Sequence, residues 1–356
     1  MLNVTLFLDE SRSTEEREAF GRLVVGLAAE GVHATQIRAG TPADPRTDHA
    51  TVMDRLLPEF NMPARAPVWL RDRLATATVD LVSDDHRTPD LCIAAGSGML
   101  WLASRMASAL EVPLLAEARS AAEVDIFVRQ DVDTIVTATE SLCDRAARRL
   151  GPDRCTHLPV PVPRTETERE DGLVVVLGPV RSQRRWSALV EGLAGPGGIA
   201  HGARHVALEL GTRRRDERIW RLARRSALSD RFSTFDHADR MRGLLAGASV
   251  VVCPDPGAVV RSIELQARIG GALVAGLSDD ARDDRRHDLG DRLLSPEEAT
   301  RPAAWREAIE EALAATPSIA SSGRGRESLV SEVAPRWTSL LQQLIRGDAT
   351  PITDPD

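Results

Sequence analysis

Short runs that are apolar at every position alternate along this chain with longer stretches in which apolar residues recur every three or four positions. Residues 173–177 (LVVVL), Val250–Cys253 (VVVC) and 272–275 (ALVA) belong to the first kind. Strands without a polar face need cover on both sides, which points to a parallel sheet flanked by helices. The stretch 248–276 shows the whole unit: a strand, a Pro/Gly turn at 254–257, a helix and a second strand. In such sheets ligands sit beyond the carboxyl ends of the strands, where a loop meets a helix N-terminus. The loop 254–260 is therefore the first candidate site.

The same alternation runs from the start. A strand over 3–8 is followed by Phe20, Leu23, Val24 and Leu27 at helical spacing, with Gly31 just past the end, and by a strand over 33–37. Residues 40–67 are rich in proline and read as a long loop with a short helix over 52–57. A helix over 68–82, a strand over 91–94, a helix over 99–110, strands over 114–115 and 134–137, a helix over 140–150 and a strand over 156–158 complete this half. The turn Gly96-Ser97-Gly98 passes from strand directly into helix. Small residues there either admit a ligand to the backbone or serve tight strand–helix packing.

Residues 159–171 (PVPVPRTETERED) are rich in proline and charge and read as a linker. After it come a strand over 173–177 and a helix with Trp186, Leu189, Val190 and Leu193 on one face. A strand over 205–210, a helix over 216–228 and a shorter helix carrying Met241, Leu244 and Leu245 follow. The 248–276 unit, a strand over 292–294, a helix over 303–314 and a terminal helix with Trp337, Leu340, Leu341 and Leu344 in register close the chain. The expected organisation is an N-terminal domain over 1–158, a second domain over 172–324, a helix over 325–346 and a fraying tail over 347–356. Two α/β halves imply a cleft between them, where small-molecule ligands bind.

Composition narrows the chemistry. All 45 basic residues are arginine, and there is neither lysine nor tyrosine. This excludes a Schiff-base lysine, with it PLP chemistry, and a phosphate loop of the Gly-Lys-Ser type. Any cation that meets phosphate must be arginine, which binds it bidentately. A net charge of −8 and 3% aromatic residues argue against nucleic-acid binding. Cys92, Cys143, Cys155 and Cys253 have no C-x-x-C spacing and read as reduced, buried thiols. His86, His157, His201, His205, His237 and His287 have no short-range partner, so no metal site is expected. No apolar run approaches the ~20 residues of a membrane span. Met1 leads straight into a strand pattern without a signal-like segment, which makes the cytoplasm the expected location and leaves peripheral membrane contact open.

Several stretches carry a resemblance in a fixed order: 24–36 (VVGLAAEGVHATQ), 89–95 (PDLCIAA), 132–140 (VDTIVTATE), Leu158-Pro159, 178–185 (GPVRSQRR) and 266–274 (QARIGGALV). Together they resemble the family 4 (group 1) glycosyltransferases over roughly residues 1–345. The resemblance implies an α/β chain of the GT-B fold, with two Rossmann-like doubly wound parallel-sheet domains facing across a cleft. It implies transfer of a hexose from a nucleotide-diphosphate sugar to an acceptor that is a glycan, a lipid or a small molecule, with no further cofactor. The donor side then falls on Gly178, Arg181, Arg184, Arg185, Pro254, Asp255, Gly257, Ala258 and Gln266. The acceptor side falls on Gly96, Ser97, Gly98 and Arg119.

The departures from the family cluster at the chemistry. Pro179 stands where the family has its first pyrophosphate-binding Arg, and Arg184 stands at the family's Lys. Gln266 replaces the glutamate that meets the donor ribose, and Ala258 replaces its partner eight residues earlier. Glu264 is two residues from Gln266 and points to a different helix face. The family's acceptor-side histidine falls at Ala118-Arg119, where no base near neutral pH exists. The leading reading is a hexosyltransferase that relies on arginines and a helix N-terminus to stabilise the leaving diphosphate. The alternative is a catalytically inactive GT-B pseudo-enzyme acting as a nucleotide-sugar sensor or assembly partner. Two lesser readings are Ser97 as a nucleophile on a strand-to-helix elbow and a nucleotide-sugar epimerase on the same fold.

Overall fold

The computed structural model describes residues 2–9, 14–39, 52–57, 69, 72–73, 75–76, 78–79, 88–163, 172–178, 182–202, 204–209, 216–225, 227–235, 244–245, 247–254, 262–278, 291–315 and 328–347. The chain divides into two compact units. The first comprises the chain up to Pro161 together with the stretch from Ser328 onward, and the second runs from Val162 to Glu327.

The first unit contains β1 (Leu2–Leu8), α1 (Thr14–Ala29), β2 (Val32–Ala39), β3 (Val52–Leu57), β4 (Leu91–Ala95), α2 (Leu100–Leu110), β5 (Leu114–Ala118), α3 (Ala121–Phe127), β6 (Thr134–Thr137), α4 (Glu140–Leu150) and β7 (Cys155–His157). The second contains β8 (Val174–Val176), α5 (Gln183–Ala194), β9 (Val206–Glu209), α6 (Asp216–Arg225), β10 (Phe232–Phe235), β11 (Val250–Cys253), α7 (Ser262–Ile269), β12 (Leu273–Leu277), β13 (Arg292–Leu294) and α8 (Pro302–Ala314). The last helix, α9 (Val330–Arg346), returns to the first unit.

Every strand pairing in both sheets is parallel. The strand orders are β3-β2-β1-β4-β5-β6-β7 and β10-β9-β8-β11-β12-β13. Counted within its own unit, each order begins 3-2-1-4-5-6, that of a Rossmann-like doubly wound sheet. The direction of winding reverses between β1 and β4 in the first unit and between β8 and β11 in the second.

The all-apolar strands are explained by this arrangement. Val174 and Val176 face a cluster with Trp186, Leu189, Leu193, Trp305 and Ile309. Leu173, Val175 and Leu177 face the opposite cluster with Leu245, Val251 and Ala267. In the first unit, Val333, Trp337, Leu340 and Leu341 of α9 share a core with Phe20, Leu23, Val24 and Leu27 of α1. The terminal helix is thus an integral layer of the N-terminal unit.

Four features differ from the sequence pattern or add to it. Residues 52–57 form a strand, not a short helix: six residues are too few to nucleate a helix alone, whereas pairing with β2 from Ala34↔Val52 to Ala39↔Leu57 supplies backbone partners. Helix α3 was not anticipated, although Ser120-Ala-Ala-Glu123 is a capping-box sequence; Ser120 Oγ accepts from Glu123 N at 3.2 Å. Strand β10 also went unseen, being four residues long at the sheet edge. Val160 and Val162, inside the expected linker, are buried; residues 164–171 of it lie outside the described residues.

Helix α1 offers a test of the α1–α9 contact. A Cβ at Gly26 would lie 2.8 Å from both Ala334 Cβ and Val330 Cγ1, while one at Gly21 meets nothing within 4 Å. Gly21→Ala is expected to stabilise the protein by about 0.5–1 kcal/mol through backbone entropy alone. At Gly26 the same gain is opposed by overpacking of about 1–3 kcal/mol, so Gly26→Ala is expected to be neutral or destabilising. Chemical denaturation of the two variants should give shifts of opposite sign or clearly unequal size; equal stabilisation would contradict the packed interface.

Candidate functional site

The reversal point of the second unit lies between the carboxyl ends of β8 and β11. Past β8 the chain runs through Leu177 into Gly178, whose N–H donates to Glu209 Oε2 at 2.8 Å. Glu209 is the last residue of β9. The approach is close enough that a Cβ at 178 would stand 2.7 Å from the Glu209 carbonyl oxygen, so the position requires glycine. Helix α5 then starts behind Ser182, whose hydroxyl accepts from Arg185 N at 3.4 Å and caps the first turn. On that turn Arg184 is exposed and Arg185 half-buried.

On the other side of the reversal point, β11 ends at Cys253 and the buried Pro254. The candidates Arg181, Asp255, Gly257 and Ala258 lie outside the described residues. Helix α7 carries Gln266, only 3% exposed.

Glu264 has a different fate. It is buried, faces Arg268 one turn on at 3.5 Å, and accepts from the Cys253 thiol at 3.6 Å. Arg268 also pairs with Asp291, which in turn accepts from Val274 N at 3.1 Å at the start of β12. Burial works against the Arg268 charge, but the Asp291 and Glu264 carboxylates hold its pKa above the ordinary value. Glu264, Arg268 and Asp291 therefore form an internal ionic cluster that ties α7 to β12 and to the start of β13. This was not legible as a cluster, because Asp291 is 23 residues from Arg268.

In the first unit the reversal point lies between β1 and β4. Gly96, at φ 105°, turns the chain into a short 3-10 segment, Ser97–Met99, that leads into α2. Asp9, the residue after β1, accepts from Gly98 N at 2.6 Å. A Cβ at 98 would lie 2.5 Å from that carboxylate oxygen. The N–H after a nucleophile on an elbow serves as an oxyanion donor; here a carboxylate occupies it, so Ser97 has no such donor behind it. Sequence reasoning passed over Asp9.

Arg119 lies just past β5 and is 1% exposed. Its Nε donates to Glu117 Oε1 at 2.7 Å, and its guanidinium carbon stands 4.9 Å from the centre of the Phe20 ring. The Arg119 Nη1 is buried without a hydrogen-bond partner among the described residues. Arg119 is thus held as half of an internal pair.

None of the four cysteines is in a disulfide. Burial pushes Cys92 up to about 12 and is also the main cause that raises Cys155 to about 12; it raises Cys143 as well. No helix among the described residues is long and apolar enough to cross a membrane.

Neither a protein-family model nor a curated protein matches this sequence. Solved structures match over nearly the whole chain. A glycosyltransferase from Rickettsia africae superposes with a TM-score of 0.72 at 9% identity, covering 97% of this chain and 99% of that one. HepE of Anabaena, solved in complex with UDP and glucose, gives 0.68 at 11%, covering 96% and 100%. The UDP-GlcNAc 2-epimerase of Neisseria meningitidis, bound to UDP-GlcNAc, gives 0.65 at 11%, covering 96% and 100%. The chain therefore has the fold of these proteins, two Rossmann-like α/β units of the GT-B type.

Removing the cation of the α7 cluster should be costly. Arg268→Met leaves two buried carboxylates facing each other, and breaking a buried ion pair costs about 3–5 kcal/mol. Replacing all three partners together, Glu264→Gln, Arg268→Met and Asp291→Asn, should recover much of that loss. Denaturant unfolding measures both; a single substitution without effect would show that the cluster is solvated. The thiols supply a second test: at pH 8 alkylation of the native protein at Cys92 and Cys155 should be slow and become complete in denaturant, since the thiolate is the reactive form.

Proposed function

We propose that the chain is a glycosyltransferase that transfers a hexose from a nucleotide-diphosphate sugar to an acceptor, with no cofactor besides the donor. The observation that carries the reading is the carboxyl-end reversal point of the second unit. There a glycine turn after β8 meets the capped N-terminus of α5, and exposed Arg184 stands on its first turn. Ligands of doubly wound sheets bind at such reversal points, with phosphates toward the helix N-terminus. HepE and the Neisseria epimerase, which share this fold, were solved with UDP or UDP-GlcNAc, which supports the same ligand class here.

The chemistry asks little of protonating side chains. As the glycosidic bond of the donor breaks, negative charge grows on the diphosphate. Arg184 and Arg185 at the head of α5 stabilise that charge bidentately, and the reaction otherwise needs the acceptor held in line with the anomeric carbon.

A second reading, a nucleotide-sugar sensor or assembly partner without turnover, draws on one observation. The carboxylate nearest in sequence to Gln266, Glu264, is committed to Arg268 and shielded from solvent. It cannot stand in for the missing ribose-side glutamate without breaking the ionic cluster.

Isothermal titration with UDP, GDP and ADP and their sugars separates the possibilities. Micromolar binding of one nucleotide is expected, weakened roughly tenfold in Arg184→Ala, the loss of one charge-assisted contact. Slow hydrolysis or transfer of the bound sugar supports the transferase, and binding without turnover across an acceptor series supports the sensor. Absence of binding by every nucleotide would overturn both.

A further inference from the structure

We infer that the outer face of α6 docks the protein onto the anionic surface of a lipid bilayer, through charge alone. The inference is independent of the donor site proposed above.

Charge is spread unevenly along the chain. Residues 213–225 (RRRDERIWRLARR) hold seven arginines against two acidic residues, although the whole chain carries a net charge of −8. Within that run α6 turns its apolar side inward, where Trp220 and Leu222 pack with buried Ala223 against the core of Val206, Leu208 and Phe232. Arg221, Arg224 and Arg225 remain on the outside, all three exposed. Residues three and four apart share a helix face, so these guanidinium groups stand together.

Arginines on other helices are matched by acids. Arg22 meets Glu18 at 3.7 Å, Arg105 meets Asp72 at 3.3 Å and Arg145 meets Asp125 at 2.7 Å. On α6, Arg224 Nε donates to the Trp220 carbonyl within the helix at 3.2 Å, and no carboxylate among the described residues pairs with Arg221, Arg224 or Arg225. The helix dipole explains part of this placement, since cations stabilise the last turn, where Arg224 and Arg225 lie. It does not explain Arg221, a turn earlier. Like charges at these spacings repel, so the face carries a local cost that a partner of opposite charge would relieve.

The chemistry of the face selects among anionic partners. A protein interface has an apolar or aromatic centre. The exposed large apolar residues among those described, Val25, Trp69, Ile126 and Ile345, all belong to the first unit. Single-stranded nucleic acid needs aromatic platforms, and the Trp220 ring of α6 packs against the core. A bilayer with acidic headgroups asks for neither: each arginine near such a surface contributes roughly fivefold in partition, screened by salt. Because the apolar side of α6 is committed to the core, the helix rests against headgroups without inserting.

Co-sedimentation of the full-length protein with sucrose-loaded vesicles tests the inference. Vesicles of equal parts phosphatidylglycerol and phosphatidylcholine should bind it at low ionic strength and release it at high salt, and vesicles of phosphatidylcholine alone should not bind it. Arg221→Gln should weaken binding about fivefold, and Arg221→Gln, Arg224→Gln and Arg225→Gln combined roughly a hundredfold. The thermal midpoint should hold in both, because the three side chains are exposed and make no ion pair. Arg145→Gln, Arg148→Gln and Arg149→Gln combined remove the same charge from α4, and should leave binding within about threefold of wild type. The inference is overturned if wild type binds neither kind of vesicle or both alike, if the α6 triple variant binds as wild type does, or if the α4 variant loses as much as the α6 variant. Capture of a DNA duplex through the same three arginines, without binding to vesicles, would overturn it in favour of nucleic acid.

Discussion

The pairing of Val174–Val176 with Val250–Val252 is the constraint on which the second unit is built. All six valines are buried, and burial of a valine side chain contributes about 1.5–3 kcal/mol. Because both faces of each strand must be covered, the chain cannot return by a hairpin. It has to cross over through a helix, and parallel strands place every strand-to-helix turn at the same end of the sheet. The juxtaposition of Gly178 with Pro254 is thus a consequence of apolar burial several residues away. The first unit repeats the arrangement with β1 and β4, whose register Leu8↔Ala95 brings Asp9 beside the Gly96-Ser97-Gly98 turn.

The two turns share a device. In each a carboxylate from a neighbouring strand end takes a glycine N–H, Asp9 with Gly98 and Glu209 with Gly178. Those N–H groups would otherwise be among the donors that make a strand-to-helix turn attractive to an anion. Ser182 likewise takes the Arg185 N–H. With these two N–H groups committed, guanidinium side chains add positive charge on the first turn of α5, where Arg184 is exposed. At Gly98 no such side chain follows in α2 before Arg105, so that turn is better suited to hydroxyl groups than to phosphate.

How much of this was legible depended on whether the signal was local. The strands with apolar residues at every position, the helix stripes of α5 and α9 and the parallel-sheet class followed from periodicity. The edge strand β3 did not, because its stabilising partner is β2 and not its own pattern. Helix α3 was announced by Ser120 and Glu123, but its seven residues are too few for a periodic face. The site shows the same division. Gly178, Arg184 and Arg185 stand out by type and spacing, whereas Glu209 is separated from Gly178 by 31 residues and becomes its neighbour only through the parallel pairing of β8 with β9. The roles of Asp9, Glu209 and Asp291 all arise from strand ends meeting in space, which no window of sequence displays.

The neutral residue at 266 has a physical companion in the ionic cluster of α7. Glu264 and Asp291 bring two negative charges to one positive charge on Arg268, all of them shielded from solvent. The thiol of Cys253 offsets part of the excess by donating to Glu264. Another carboxylate at 266, two residues along the same short helix, would add like charge to the buried carboxylates Glu264 and Asp291. Interactions between charges are strongest there, because water does not screen them. An amide at 266 avoids that repulsion while keeping both a donor and an acceptor. The neutral side chain at 266 and the carboxylate at 264 thus form one pattern of charge placement, in which Glu264 anchors α7 to Arg268 and position 266 adds no further charge.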